Sequence, residues 1–183
     1  MRKNQKGFSL IELLIVVAII LIIAAIAIPN LLRSKMAANE ASAVGSIRTI
    51  VTASITFNST YSDGFPPSLA YLGPTVGGGA ATCASAGLLD PLLSGVLPAA
   101  PNPVKSGYSF TYTSVAGVPP ITAPAGCALA GGGGFVIAAV PQTVGTTGQR
   151  SFCSDESGSI YYDPTGAAKP ATEAACEALS PLQ

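Results

Sequence analysis

Hydrophobic residues are concentrated near the start of this 183-residue chain. Residues 8–28 form a largely apolar run that contains one carboxylate, Glu12, and follows the leader sequence Met-Arg-Lys-Asn-Gln-Lys-Gly. About twenty apolar residues suffice to cross a bilayer as a helix. A carboxylate inside such a span costs about 2.5–3.5 kcal/mol on insertion scales, so it normally has a partner and a function. The run therefore predicts a membrane-spanning helix with a functional acid near its start.

Helix-compatible sequence continues well beyond this run. Of the 20 glycines only Gly7 and Gly45 precede Tyr61, and of the 15 prolines only Pro29 does. A segment this poor in helix breakers predicts one long helix over residues 8–60. We expect a kink at Pro29, because proline removes a backbone donor and clashes with the preceding turn.

The second half of the predicted helix, residues 29–60, has an amphipathic pattern. Four apolar residues recur at spacings of three and four and so share one helix face, namely Val44, Ile47, Val51 and Ile55. We expect this face to pack on the rest of the protein. Residues 8–28 would then project as a transmembrane segment.

Residues 61–183, the head, are rich in Gly and Pro and long enough for one domain with its own core. Four segments match strand patterns, at residues 108–113, 134–140, 149–153 and 159–163. The Asp-Glu-Ser-Gly sequence between the last two predicts a hairpin turn. We therefore expect an α+β fold, in which the long helix packs on a small sheet of three to five antiparallel strands. The remaining head sequence predicts loops.

The sequence KGFSLIELLIVV at residues 6–17 resembles the amino-terminal signature of type IV pilins and of the related pseudopilins of type II secretion systems. In that family a prepilin peptidase cuts after the glycine and N-methylates the new amino terminus. The resemblance covers about thirty residues of this chain. It implies a pilin-like fold, a cleaved leader of residues 1–7, a cut between Gly7 and Phe8, and N-methylation of Phe8.

Three residues are implied in assembly: Phe8, Glu12 and Pro29. In a bundle of staggered copies, the Phe8 amine of one subunit would lie against the Glu12 carboxylate of its neighbour. Charges about 4 Å apart attract by about 4 kcal/mol at an effective dielectric constant of 20. Leaving either charge unpaired would be costly, so the pair would fix the axial register. The family associates local helix melting with a proline near position 29, and a fixed kink is the alternative.

All four cysteines lie in the head, at Cys83, Cys127, Cys153 and Cys176. None is in a Cys-x-x-Cys pair and the chain has no His, which argues against a zinc site. An even number outside the cytoplasm predicts two disulfides, for which three sets of pairings are possible. We favour Cys83–Cys127 and Cys153–Cys176, because the second would tie the carboxyl-terminal tail to the strand containing Cys153. Such a loop resembles the carboxyl-terminal disulfide loop of many pilins.

Enzymatic chemistry has little support in this sequence. The absence of His excludes Ser/His and Cys/His nucleophile arrangements, and we expect no cofactor. Asp155, Glu156 and Asp163 lack the spacing of a calcium loop, so we expect exposed turn acids and no metal. The head has three basic and seven acidic residues, which argues against nucleic-acid binding.

Charge also predicts the orientation in the membrane. Arg2, Lys3 and Lys6 precede the apolar run and favour a cytoplasmic amino terminus. The precursor would then be a single-pass inner-membrane protein whose head lies outside the cytoplasm. Removing the leader leaves six of the nine basic residues against nine acidic ones.

The resemblance implies a structural subunit of a type IV pilus, with roles in adhesion, twitching motility or surface attachment. Its partners would be identical subunits, the prepilin peptidase/methyltransferase, an assembly platform, and inner-membrane lipid before assembly. Once assembled, the subunit would be part of an extracellular filament. The alternative within the family is a pseudopilin that forms a periplasmic piston for protein export. From another class, a monotopic membrane-anchored enzyme or binding protein would keep an uncleaved helix.

Overall fold

The computed structural model describes residues 8–61, 64–75, 77, 79–96, 102–115 and 132–182. The chain divides into two compact units, Met1–Lys35 and Met36–Gln183. The helix α1, Leu10–Tyr61, confirms the long helix that the sequence predicts and contributes residues to both units. Among the described residues, α1 alone is a helix long and apolar enough to cross a membrane.

The first unit contains the apolar part of α1. Its most apolar window has no buried residue, and large side chains such as Phe8 and Leu10 are 81% and 78% exposed. Pro29 lies inside the helix. The kink expected at that position stays a prediction.

The second unit combines the later residues of α1 with an antiparallel sheet, as expected for the α+β pilin-like fold class. The sheet follows chain order, each strand pairing with the next. Its strands are β1 (Val104–Lys105), β2 (Tyr108–Val115), β3 (Gly134–Pro141), β4 (Ser151–Asp155), β5 (Ile160–Asp163) and β6 (Ser180–Pro181). A 3-10 helix at Leu69–Leu72 precedes the sheet, and a short helix, α2 (Glu173–Glu177), precedes β6.

The described residues thus contain six strands, where three to five were expected. The additional strands, β1 and β6, are two residues long, and β6 includes Pro181. Proline is tolerated at a sheet edge because its missing N–H is not needed there. The β4–β5 hairpin is present, and the Gly158 N–H donates to the Asp155 carbonyl oxygen at 3.1 Å, so the turn covers the four predicted residues although Asp155 is also the last residue of β4.

Alternate residues of the sheet contribute to two separate cores. Phe135, Ile137 and Ala139 of β3 belong to the main core, together with Ile47 and Ile50 of α1. The neighbouring Val136 packs instead in a smaller cluster with Cys153 and Cys176. Because both faces of β3 are covered, its sequence is a continuous apolar run rather than an alternating one.

The buried face of α1 differs from the predicted stripe. Ile47 and Val51 are buried as expected, but Ile55 is 47% exposed and Val44 is only half-buried. The face that packs against the sheet instead contains Ala43, Ile47, Ile50, Ser54 and Phe57. Val44 still packs against the core, so of the four predicted residues only Ile55 lies off the buried face, part of which small polar residues such as Ser54 occupy.

Candidate functional site: the amino-terminal segment of α1 and the Glu40 cluster

The first turn of α1 is organised by Glu12. Ser9 precedes the first helical residue, Leu10, and its backbone N–H donates to Glu12 Oε2 at 3.1 Å. This is one half of a capping box, in which an acid at the third helical position satisfies a backbone donor at the helix start. The other carboxylate oxygen has no hydrogen bond within the described part of the chain. Glu12 also has no ion-pair partner there.

A continuous apolar surface accompanies this acid. A shallow groove of about 370 Å³ follows one side of the helix and is lined by Leu10, Leu13, Leu14, Val17, Ala18 and Leu21. These residues recur at spacings of three and four, so they lie on one face. A second apolar helix, or lipid, could cover such a surface, but polar ligands find no donor or acceptor in it.

The predicted cleavage site lies where the described residues begin. Phe8 is described and strongly exposed, whereas Gly7 lies outside the described residues. The predicted cut between them, the methylation of Phe8 and the role of Pro29 stay predictions.

The second unit contains a polar cluster that the sequence did not indicate. Glu40 is 8% exposed, and its Oε2 accepts from Arg150 Nε at 2.9 Å and from Arg150 Nη2 at 2.7 Å. Its Oε1 accepts from the backbone N–H groups of Gln149 and Arg150 at 2.9 and 3.2 Å. Burial tends to raise the pKa of Glu40, but these hydrogen bonds and the Arg150 charge more than offset it and keep that pKa below its ordinary value.

One of the two predicted disulfides is present among the described residues. Cys153 of β4 and Cys176 of α2 form a disulfide, with their Cα atoms 5.9 Å apart. The bond ties the carboxyl-terminal segment to the sheet, as expected. Cys83 is buried, but Cys127 lies outside the described residues, so the Cys83–Cys127 pair stays a prediction.

The three acids considered as calcium ligands stabilise or adjoin turns. Asp155 Oδ1 accepts from the backbone N–H and the hydroxyl of Ser157, and Asp163 caps the loop that follows β5. Asp155 and Asp163 are 2% and 9% exposed, so the expectation of exposed acids is wrong for both. Their carboxylates are buried because turn donors satisfy them. Within the described ranges, no group of three His, Cys, Asp or Glu residues could hold a metal ion.

Comparisons with known proteins agree with the amino-terminal geometry. The family described as the prokaryotic N-terminal methylation motif matches residues 2–28. Over 38 residues the chain is 63% identical to the type IV wide pilus major component PilA4 of Thermus thermophilus, covering 21% of this chain and 29% of that protein. Over 72 residues it is 43% identical to the type IV major pilin protein PilA of Myxococcus xanthus, covering 35% of this chain and 33% of that protein.

These matches are partial. The similarity spans a third or less of the length of each curated relative. No solved structure matches the chain. The family motif itself covers only residues 2–28.

Proposed function

We propose that this chain, whose amino-terminal segment is similar to those of type IV pilins, is a structural subunit of a type IV pilus. The observation that carries the proposal is the beginning of α1, where an apolar stretch with no buried residue contains one acid, Glu12, without a cationic partner among the described residues. Both relatives above are named as major pilin components, which favours a pilus over a secretion pseudopilus. We propose no enzymatic activity.

The proposed assembly step begins with cleavage after Gly7, which makes the Phe8 nitrogen a cationic amino terminus. Glu12 Oε2 is engaged by its own Ser9 N–H, which leaves Oε1 to accept from the Phe8 ammonium of a neighbouring subunit. An ion pair in a water-free helix bundle is favourable only when both charges are satisfied. The ion pair with Glu12 would thus form at only one axial position of the neighbouring subunit. At other positions both charges would stay unpaired, which is unfavourable.

The apolar surface of α1 supplies the remaining contact. Before assembly this surface would be covered by inner-membrane lipid, and in the filament by α1 helices of identical subunits. Exchanging lipid for protein changes the hydrophobic free energy little, so packing and polar contacts decide the association. A subunit of this kind would therefore pass between the membrane and the filament with little change in the hydrophobic free energy of its apolar side chains.

The head would lie outside the cytoplasm and then on the filament surface. The Cys153–Cys176 disulfide supports this location, because disulfides persist in oxidising compartments. Adhesion, twitching motility and surface attachment are the roles we propose for the assembled filament. The prepilin peptidase/methyltransferase and an assembly platform are its proposed processing partners.

Imaging of surface filaments tests this function. Filaments sheared from expressing cells and labelled with an antibody against the head should be long and labelled along their length. Labelled protein found only in the periplasm and membrane, with no surface filaments, would contradict the pilus and favour the pseudopilin.

A further inference from the structure

We propose that the Glu40–Arg150 ion pair is a latch that fixes residues 36–47 of α1 on the sheet, so that every subunit enters the filament with the same geometry. Glu40 would then be a positioning residue for assembly. The part of this inference that concerns assembly rests on the proposed function. The part that concerns the latch does not.

A single side chain, that of Glu40, makes several contacts with a distant loop. The Glu40 carboxylate accepts four hydrogen bonds, two from the Arg150 guanidinium and two from backbone N–H groups of Gln149 and Arg150. These residues are 109 and 110 positions away in the sequence. Hydrogen bonds between ionised groups are about twice as strong as neutral ones, and here two guanidinium donors meet at the same oxygen, Glu40 Oε2. Glu40 therefore specifies both the distance and the rotation of α1 against the β3–β4 loop.

Glu40 lies where the buried part of α1 begins. It is the first buried residue of α1, and the apolar core begins only at Ala43. The residues just before it offer small side chains, Ala37 and Ala38, which are exposed. Because no large apolar side chain of residues 37–42 is buried in the core, polar contacts must hold this part of the helix.

Two hydrogen bonds close to Glu40 also hold α1 on the sheet. Asn39 Nδ2 donates to the Thr147 carbonyl oxygen at 2.8 Å, and the hydroxyls of Ser42 and Ser106 are 2.9 Å apart. Both join α1 to loops of the sheet. Glu40 lies between them and is the only charged member of the three.

The loop side of the latch also has contacts with the sheet that do not involve α1. The Tyr108 hydroxyl donates to the Arg150 carbonyl oxygen at 2.8 Å, and the guanidinium lies 5.5 and 5.4 Å from the ring centres of Phe152 and Tyr162. Gly148 packs so closely on the Tyr108 ring that a Cβ there would overlap it. Since Arg150 is positioned by the sheet, removing the Glu40 charge should loosen the helix rather than the loop.

Glu40→Gln tests the latch, because it keeps an acceptor of nearly the same size and removes the charge. Hydrogen exchange would be measured on the processed full-length chain in detergent. Amides of residues 36–47 should exchange about tenfold faster or more, while amides of β3 and β4 should keep their wild-type protection. Arg150→Lys should have a smaller effect of the same kind, because lysine keeps the charge but lacks the planar guanidinium whose two N–H groups both donate to Glu40 Oε2. Glu177→Gln, an exposed carboxylate on α2, is the matched control.

Filament mass per processed monomer would be measured for the same variants. The proposal expects a severalfold loss for Glu40→Gln, an intermediate loss for Arg150→Lys and none for Glu177→Gln. Unchanged exchange at residues 36–47 would overturn the latch, and faster exchange with wild-type filament mass would overturn its role in assembly. A wild-type chain that forms no filaments would refute the proposed function, and the exchange data would still decide the latch.

Discussion

The backbone N–H of Ser9 donates a 3.1 Å hydrogen bond to the carboxylate of Glu12. The Glu12 carboxylate therefore has two separable properties. It accepts a hydrogen bond that caps the helix, and it carries a negative charge. A capping contact contributes about 1 kcal/mol to helix stability and does not require a neighbour. The charge, in contrast, is unpaired within the described residues. In the proposed assembly it would be paired by the Phe8 ammonium of a neighbouring subunit. Substitutions that separate the two properties therefore identify which one assembly needs.

Glu12→Val removes both properties, and Glu12→Gln keeps an acceptor but removes the charge. Both variants should be cleaved, inserted in the membrane and disulfide-bonded, because a neutral residue costs less than a carboxylate in a bilayer. Both should form few or no filaments, because the neighbour's Phe8 ammonium would enter the helix bundle unpaired at a cost of about 3–5 kcal/mol. Electron microscopy at matched monomer levels is the measurement. Wild-type filament yield from Glu12→Gln would show that the capping contact, and not the charge, is what matters.

Ile47 and Ile55 form a matched pair on α1. Ile47 is fully buried and Ile55 is 47% exposed. Ile47→Ala should lower the free energy of unfolding by about 2–5 kcal/mol, because it leaves a cavity in the core. Ile55→Ala should change it by about 0.5 kcal/mol or less. Urea denaturation of the two variants would check this, and equal losses would mean that the buried face of α1 is assigned incorrectly.

The same pair shows which features sequence reasoning could find. The long helix was predictable because residues 8–60 contain almost no helix breakers, and β2 and β3 because their patterns are strong. The buried face of α1 was not, since Ser54 is buried and Ile55 is exposed against their hydrophobicity. Short edge strands such as β6 depend on a neighbouring strand rather than on their own sequence.

The candidate site was predictable only where a motif existed. Phe8 and Glu12 belong to a compact signature, so the sequence alone proposes roles for them, and those roles stay predictions. Glu40 carries no local signal, because its role depends on Gln149 and Arg150 more than a hundred residues later. The tertiary fold was needed to supply its partner.

Asp163 should make stability depend on pH. The Thr165 hydroxyl donates to its carboxylate, as do the backbone N–H groups of Thr165, Ala167 and Ala168, and these bonds hold the pKa of Asp163 below its ordinary value. A lowered folded pKa means that the contribution is complete above the unfolded pKa of about 3.9 and is lost as pH falls through the folded value. Asp163→Asn should therefore destabilise the protein at neutral pH.

Denaturant midpoints measured from neutral pH down to about pH 2 check this prediction. The difference between wild type and Asp163→Asn should be constant at neutral pH and shrink in acid. Glu177→Gln, which changes the same charge at an exposed site, should differ little from wild type throughout. A difference for Asp163→Asn that stays constant across the whole range would contradict a role for the ionised carboxylate.

The intact mass of the native subunit tests the central claim most directly, because a pilin must be processed before it can polymerise. Protein from sheared filaments or membranes should lack residues 1–7 and carry about 14 Da, one methyl group, on Phe8. Gly7→Val should accumulate as the full-length precursor, since a bulky side chain at the cut obstructs the peptidase. A native chain that retains its leader, or normal processing of Gly7→Val, would contradict the account.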